Sequence, residues 1–246
     1  MHGMGVDGKW VRCAVAPGFE PVKRCTRKPL RHTKGSLSHI VTTVEPDHHK
    51  PVVIVLAAGL GTRFRASGAA MDKLDAPLSG RRMRDHVLGS VRASGLPWHV
   101  VDRAQTAHIA RPGMGWSIAC GVAATRHATG WLILPADLPL VRSETLLAVA
   151  AALRNHEVVL PTWQGTQGHP VGFSSACRDA LLALQGDEGA RSIASTRQAL
   201  RLAVNDPGCV LDVDTWDALQ SVQALFDKMQ TENLPMTSPM QGLDAP

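Results

Sequence analysis

The sequence has no apolar run long enough to cross a membrane. The longest uncharged apolar run, VVIVLAAGL, covers residues 52–60, whereas a membrane-spanning helix needs about 20 such residues. Residues 1–30 also lack the continuous apolar segment of a secretory signal peptide. We therefore expect a protein that neither spans a membrane nor enters the secretory route.

Paired cysteines are also missing. The five cysteines are scattered, odd in number and never spaced as CxxC, which argues against a disulfide framework and favours a reducing, cytoplasmic location. A metal site built from Cys13, Cys25, His32, His48 and His49 is an alternative, but their spacing matches no zinc pattern. We interpret these side chains as free thiols and solvated imidazoles.

Excess positive charge is absent outside the first fifth of the chain. Residues 1–50 hold nine Lys and Arg against four Asp and Glu, so the whole excess of +5 lies there. The neutral remainder gives no support for nucleic-acid binding. We predict a basic, disordered extension over 1–50, a folded domain over 51–228 and a polar, disordered tail over 229–246. A targeting peptide is the alternative for 1–50, but its acidic residues argue against one.

Strands and helices alternate through the predicted domain. Short β-branched apolar runs predict strands at 52–57, 98–102, 131–137, 157–162, 169–174 and 209–214. Helical spacing predicts helices at 83–94, 117–127, 143–156, 177–185, 190–200 and 215–229, with Ser143 and Thr215 as two of the N-caps. This alternation predicts an α/β fold with a mostly parallel sheet and helices on both faces. Because ligands bind beyond the carboxyl ends of such strands, the residues after each strand are the candidates for function.

A glycine turn follows the first strand, in AAGLGTRF at 57–64. Gly59 and Gly61 allow the backbone to turn tightly and to bring amide groups near a polyphosphate. Arg63 and Lys73 then supply positive charge for the phosphates. The alternative is an ordinary strand-to-helix turn, since the loop lacks the third glycine of the dinucleotide fingerprint and is not a GxxxxGK[ST] loop.

Acidic residues follow two other predicted strands. Asp137 ends an apolar strand in PADLP, where a carboxylate contributes little to packing but is well positioned to hold Mg²⁺ against substrate phosphates. Asp212 and Asp214 alternate along the predicted strand at 209–214, so only one of them can face Asp137. A charge at a helix N-terminus is the alternative role for Asp214.

Three further segments are suited to substrate contacts. GMGWSI at 113–118 has glycines and Ser117 at a helix start, where backbone groups can contact a sugar, base or phosphate. His169 precedes a proline in GHPVGF, so its backbone is held extended, and Arg191 in GDEGAR is available to an anionic substrate. A structural histidine and a simple turn are the alternatives for the last two.

Seven motifs occur together in one order. They are LAAGLGTR (56–63), DKL (72–74), GMGWSI (113–118), PADLPLV (135–141), GHPVGF (168–173), GDEGAR (186–191) and VDT (213–215). As a set they resemble the MobA-like molybdenum cofactor nucleotidyltransferases, and specifically the cytidylyltransferase branch. The resemblance covers about residues 52–226, which is most of the chain.

The resemblance implies a Rossmann-like three-layer αβα sandwich of the nucleoside-diphosphosugar transferase type. The implied reaction transfers CMP from CTP to the terminal phosphate of molybdopterin and releases pyrophosphate. Mg²⁺ is the implied cofactor. The implied partners are CTP (or GTP), a molybdopterin-type phosphorylated acceptor and an apo molybdenum hydroxylase.

The resemblance also implies residue roles. Nucleotide binding is implied for Leu56, Ala57, Ala58, Gly59, Gly61, Arg63, Lys73, Gly115 and Ser117, metal binding for Asp137 and Asp214, and second-substrate binding for His169, Pro170 and Arg191. Lys73, Arg63 and Asp137 are the implied catalytic residues. In this family LAAG, here at 56–59, accompanies cytidine use.

The sequence departs from the family in two places. About four residues are inserted between Phe64 and Lys73, and Trp116 stands where a small or acidic residue is expected. The rival functions are a GTP-dependent or sugar-phosphate nucleotidyltransferase, and a non-catalytic carrier that delivers finished cofactor to a molybdenum hydroxylase. The glycine loop, Lys73 and Asp137 argue against the carrier, because a carrier needs no triphosphate site.

Overall fold

The structure is a computed structural model that describes residues 50–107, 109 and 113–232. Apart from Lys50 and the backbone of 229–232, the predicted extension and tail lie outside the described residues. The alternative metal site of Cys13, Cys25, His32, His48 and His49 also lies outside them. Within the described part of the chain, no helix has the length and apolarity that a bilayer crossing demands.

Seven strands form the main sheet, and two short strands form a separate hairpin. The main strands are β1 (Val52–Ala57), β4 (Trp98–Asp102), β5 (Gly130–Pro135), β6 (Val158–Trp163), β7 (Thr166–Gln167), β8 (Val171–Ser174) and β9 (Ala199–Ala203), and the hairpin is β2 (Pro77–Leu78) with β3 (Arg81–Arg82). The sheet order is β4-β1-β5-β8-β6-β7, with β9 also paired to β6. β1 is parallel to β4 and β5, and β9 is parallel to β6, whereas β8 is antiparallel to β5 and β6 and β7 is antiparallel to β6. Five of the seven strands of this sheet therefore run in one direction, and β7 and β8 run in the other. The predicted mostly parallel sheet is therefore confirmed.

Helices cover both faces of this sheet. They are α1 (Thr62–Ala66), α2 (Met83–Ala93), α3 (Arg103–Thr106), α4 (Met114–Ala124), α5 (Ser143–Ala152), α6 (Arg178–Leu182), α7 (Arg191–Ser195) and α8 (Trp216–Glu232). Successive side chains of β1 point to opposite faces, and the fully buried Ile54 and Val53 join different apolar clusters. The Ile54 cluster includes residues of α4, α6 and α7, and the Val53 cluster includes residues of α2 and α5. This arrangement confirms the three-layer αβα sandwich.

The helix predicted at 190–200 is shorter in the structure. The predicted helix at 190–200 ends at Ser195, where the hydroxyls of Ser195 and Thr196 donate to the carbonyl of Ser192. Such local side-chain bonds compete with helix continuation, and Ala199–Ala203 instead forms β9.

The predicted strand at 209–214 is wrong. Pro207–Cys209 is a short 3₁₀ helix, and the next residues pair with no strand of the described chain. Gly208 packs so closely on the carbonyl of Leu140 that a Cβ there would lie 2.1 Å from its oxygen. The N–H of Val213 donates to the carbonyl of Asp137 over 3.0 Å. These contacts hold the segment across the end of β5, and it does not extend the sheet.

The N-caps were predicted correctly in one case of two. The Thr215 hydroxyl accepts from the N–H of Ala218 at 3.2 Å, which confirms it as the cap of α8. Ser143 is not the cap of α5, because the N-cap position is Arg142. The buried carboxylate of Asp206 caps α5 from outside the helix, accepting from the N–H of Arg142 at 2.9 Å and from the hydroxyl of Thr145 at 2.6 Å.

Replacing Asp206 by Ala is expected to destabilise the fold by about 2–4 kcal/mol, because the buried donors it satisfies lose their acceptor. Urea unfolding followed by circular dichroism measures this free energy. The matched control is Asp179→Ala, which removes an exposed carboxylate from the first turn of α6 and should cost less than about 1 kcal/mol. Equal losses in the two variants would contradict a structural role for the Asp206 carboxylate.

Candidate active site

The candidate site begins where β1 and β5 end side by side. Leu56 is the register partner of Pro135, and the N–H of Ala136 donates to the carbonyl of Leu56 at 3.0 Å. The glycine loop after β1 and Asp137 after β5 therefore leave the sheet next to each other. This is the carboxyl edge at which parallel α/β sheets bind ligands.

The glycine loop leads directly into α1, a helix that the sequence did not predict. Gly61 is the N-cap residue of α1 and adopts φ +60°, a left-handed conformation that favours glycine. A Cβ on Gly61 would lie 3.1 Å from the Cβ of Lys73, whereas a Cβ on Gly59 would meet nothing within 4 Å. Gly61 thus allows close contact with Lys73, and the space beside Gly59 is open.

Lys73 reaches the site despite the insertion that precedes it. The insertion comes after Phe64 of α1, and this fully buried side chain anchors the segment in an apolar cluster with Leu140 and Val213. Lys73 begins a short 3₁₀ helix that is capped by Asp72, whose Oδ1 accepts from the N–H of Leu74 at 3.0 Å. The lysine is 8% exposed.

Lys73 lies between the two predicted metal-binding carboxylates. Its Nζ donates to Oδ2 of Asp137 at 2.7 Å and to Oδ1 of Asp214 at 2.5 Å. Arg63 Nη1 donates to the other oxygen of Asp214, Oδ2, at 2.8 Å. The structure thus brings together Arg63, Lys73, Asp137 and Asp214, and their charges sum to zero.

These contacts change the affinities of the groups for protons. Burial by itself would lower the pKa of Lys73, but the negative charge of Asp137 and the hydrogen bonds to both carboxylates outweigh it and raise that pKa above its ordinary value. The hydrogen bond from Lys73 lowers the pKa of Asp214 against the opposing effect of partial burial, and Arg63 lowers it further. Lys73 therefore stays charged and Asp214 stays ionised at neutral pH.

Asp137 keeps one oxygen without a partner. Its Oδ1 is buried and makes no hydrogen bond, although the other oxygen is held by Lys73. Oxygen atoms of carboxylates are the ligands that hard divalent cations prefer. The described residues contain no group of three or more His, Cys, Asp or Glu side chains that could hold a metal ion, so a cation at Asp137 and Asp214 would need oxygen ligands from a substrate or water.

Arg103 is a site residue that the sequence analysis missed. It begins α3 directly after β4, and its Nη2 donates to the carbonyl of Gly59 at 2.6 Å and forms an ion pair with Oδ2 of Asp72 over 2.7 Å. Arg103 therefore ties the glycine loop to the residue that caps the Lys73 helix. The rule that polar residues after strands are candidates, applied to β4, would have found it.

The glycines of GMGWSI pack against another loop. The N–H of Gly115 donates to the carbonyl of Gly186 at 2.9 Å, and a Cβ on Gly115 would lie 2.6 Å from the carbonyl oxygen of Gln185. The Ser117 hydroxyl donates to the carbonyl of Gly113 at 3.0 Å. These glycines allow α4 to begin in contact with the GDEG turn, and nucleotide contacts by Gly115 and Ser117 stay predictions.

The predicted second-substrate residues lie in two different environments. His169 and Pro170 are joined by a cis peptide bond, and the buried Nδ1 of His169 has no hydrogen-bond partner. Burial lowers the pKa of His169, although the backbone of Ile133 and the charge of Asp137 oppose this effect. Arg191 is exposed at the start of α7, and its side chain forms no ion pair or hydrogen bond with the described residues.

The chain matches one family model and is similar to several characterised proteins. The sequence model described as the MobA-like NTP transferase domain matches residues 53–202, so Asp214 lies beyond the matched region. The purine catabolism protein PucB of Bacillus subtilis (strain 168) is 30% identical over 191 residues, covering 66% of this chain and 90% of PucB. The bifunctional protein GlmU of Xanthomonas euvesicatoria pv. vesicatoria (strain 85-10) is 30% identical over 145 residues, but the match covers only 30% of GlmU and 52% of this chain.

Solved structures share the fold. Rv0371c from Mycobacterium tuberculosis H37Rv superposes with a TM-score of 0.58 and 24% identity, covering 72% of this chain and 99% of that protein. Molybdopterin-guanine dinucleotide biosynthesis protein A from Archaeoglobus fulgidus gives a TM-score of 0.53 with 18% identity, covering 72% and 100%. The match to the family model over more than half of the sequence confirms the family to which the seven motifs pointed: the chain belongs to the MobA-like NTP transferase family of nucleotidyltransferases.

Proposed function

We propose that the protein transfers CMP from CTP to the terminal phosphate of a molybdopterin-type acceptor and releases pyrophosphate. The observation that carries the nucleotidyl transfer is the cluster of Lys73, Arg63, Asp137 and Asp214 beside an open glycine loop. Two cations and two carboxylates at this edge are suited to a triphosphate and a divalent cation. The choice of CTP rests on the LAAG segment at 56–59 and on the motif resemblance.

Asp137 and Asp214 would hold the divalent cation, which we propose to be Mg²⁺. The buried, unpartnered Oδ1 of Asp137 fits an ion of this kind. A further structure of Rv0371c is a complex with manganese, which supports a divalent cation in this fold. When bound, such an ion would neutralise charge on the phosphate oxygens.

The residues of the chain need only position and neutralise the reactants. The acceptor phosphate oxygen is already anionic, so no side chain has to remove a proton from it. That oxygen forms a bond to the α-phosphorus, the bond from the α-phosphorus to its bridging oxygen breaks, and the electron pair leaves with pyrophosphate. Lys73 and Arg63 would offset the charge of the triphosphate, and the turn at Gly59 and Gly61 would receive it.

We assign the acceptor side of the site to His169, Pro170 and Arg191. The charge of Asp137 acts on His169, so this imidazole lies within electrostatic reach of the carboxylate cluster. Its buried Nδ1 has no hydrogen-bond partner among the described residues. Arg191 is free to pair with an anionic group because it has no partner among the described residues.

The similarity to GlmU supports a second candidate function, a nucleotidyl transfer that uses a different nucleotide base or a different acceptor. The rival products would come from GTP or from a sugar phosphate. A carrier that binds finished cofactor and delivers it to an apo molybdenum hydroxylase is less well supported, because such a protein has no use for the Lys73 cluster.

Calorimetric titration of CTP and GTP, each with Mg²⁺, tests the base, and mass spectrometry of the product after incubation with molybdopterin tests the acceptor. Tighter binding of CTP and formation of the cytidine dinucleotide are the expected results. Preference for GTP would move the protein to the guanylyl branch. Binding of neither nucleotide by folded protein would contradict the proposal and favour the carrier.

Asp137→Ala is expected to lower turnover by about 10³-fold or more, because the site loses a cation ligand and Lys73 loses an ion-pair partner. Pyrophosphate release with Mg²⁺ measures turnover, and circular dichroism checks the fold. Asp179→Ala, an exposed carboxylate on α6, serves as the control and should keep wild-type turnover. Mg²⁺-dependent activity retained by Asp137→Ala would be incompatible with the assignment.

Arg103→Ala is expected to lower kcat/KM by about 10- to 100-fold, since the glycine loop and the Asp72 cap lose the side chain that joins them. Nucleotide KM should rise, and Arg103→Lys should recover part of the loss because its ammonium can still donate to both oxygens. Steady-state kinetics measures the split between KM and kcat. Arg65→Ala removes an exposed arginine of α1 and should have no comparable effect. A loss of thermal stability alone, with unchanged KM, would contradict this positioning role.

A further inference from the structure

The carboxylates proposed to bind the metal are already paired with side-chain cations. Lys73 Nζ bonds to Oδ2 of Asp137 and Oδ1 of Asp214, and Arg63 bonds to Oδ2 of Asp214. Both oxygens of Asp214 are therefore occupied. Across the two carboxylates, the Oδ1 of Asp137 is the one oxygen left without a hydrogen bond in the described structure.

A divalent cation and the Lys73 ammonium compete for the same oxygens. The ion cannot bond to the lysine-bound oxygens while the ammonium stays there, and two like charges a few ångströms apart repel each other strongly in a partly buried site. Oδ1 of Asp137, which has no hydrogen bond, is a poor metal site by itself, because hard divalent cations take about six oxygen ligands or more. No third acidic side chain among the described residues completes the set.

The backbone of Lys73 is fixed, whereas its ammonium can move. Asp72 caps the 3₁₀ helix that begins at Lys73, Arg103 holds Asp72, and the Gly61 backbone lies against the Lys73 Cβ. The rest of the lysine side chain is an unbranched stem with rotatable bonds. A triphosphate at the adjacent glycine loop would offer the ammonium new anionic partners and would bring further oxygen ligands for a cation.

We propose that Lys73 is an internal counterion that blocks the metal site until a nucleoside triphosphate draws its ammonium away. The nucleotide half of this inference rests on the proposed function. Metal and nucleotide then bind with positive coupling, and linkage requires each to raise the affinity for the other by the same factor. Removing the lysine ammonium should allow the metal to bind without nucleotide, because the lysine-bound oxygens, Oδ2 of Asp137 and Oδ1 of Asp214, become available to it.

Binding of Mn²⁺ in the absence of nucleotide, measured by the loss of the free-ion signal in electron paramagnetic resonance, tests the block directly. Lys73→Met should bind Mn²⁺ at least about tenfold more tightly than wild type, since the competing charge is gone. Arg65→Met removes an equal charge from an exposed position of α1 and should change the affinity by less than about twofold. Adding Asp137→Asn to Lys73→Met should reverse the gain.

Equal or weaker Mn²⁺ binding by Lys73→Met than by wild type would overturn the block, and so would a matching gain in Arg65→Met. Circular dichroism checks that Lys73→Met is folded, and Lys73→Gln, which is also uncharged but polar, provides the same comparison if it is not. This arm contains no nucleotide, so its outcome does not depend on the proposed function.

The second arm adds α,β-methylene-CTP, whose α–β linkage cannot be cleaved. In wild type the analogue should raise the affinity for Mn²⁺ by about tenfold or more, and in Lys73→Met the increase should be much smaller. An equal increase in both proteins would overturn the coupling through Lys73. If wild type binds neither this analogue nor the corresponding GTP analogue, the nucleotidyltransferase assignment is overturned. The nucleotide half of the inference is then overturned with it.

Discussion

The site depends on one largely buried ammonium group held between two carboxylates. Lys73, Asp137 and Asp214 come from three segments that backbone pairing of the sheet does not join. Without the ammonium, the carboxylates would repel each other at short range, and without the carboxylates a lysine that is 8% exposed would be costly to keep charged. Charge balance therefore fixes the mutual positions of these segments, and the apolar cluster around Phe64 and Val213 packs alongside them.

Of the four clustered charged residues, only Asp137 lies directly after a strand of the sheet. Asp137 follows β5 after a single residue, so the rigid parallel strands define its position. The others lie on short helices and irregular segments, each fixed by a specific contact: Arg63 and Lys73 by the left-handed turn at Gly61, and Asp214 by the backbone bond between Val213 and Asp137. Arg103 adds a link from the end of β4. The site is thus made largely of loop residues that specific contacts hold in place at the edge of a stable sheet. This arrangement is common in α/β proteins.

Local sequence patterns predicted the parts of the molecule that local forces determine. The β-branched run of β1, the helical spacing of α2 and the Thr215 cap could all be read from neighbouring residues. Asp206 could not, because it acts on groups far away in the sequence and leaves no periodic signal. Arg103 was recognisable as a polar residue directly after β4, but its contact with Gly59 was not. The error at 209–214 has the same origin: VLDVD alternates like a strand, but the close approach of Gly208 to Leu140 directs it across the end of β5. The chemistry of Lys73 and Asp137 was predictable as residue types after strands, whereas their direct ion pair was not.

The bond between Lys73 and Asp214 joins residues 141 positions apart, and the bond between Arg63 and Asp214 joins residues 151 apart. Contacts of such long sequence separation form late, because the loop between them must first be closed. During synthesis, the glycine loop, Arg63, Lys73 and Asp137 all leave the ribosome well before Asp214 does. Among the four charged side chains of the site, the three that are synthesised first are therefore two cations and one carboxylate, and Asp214 brings the second negative charge. The segment before α8 thus brings the charge that neutralises the ligand-binding edge, after the other three charged residues of that edge have been synthesised.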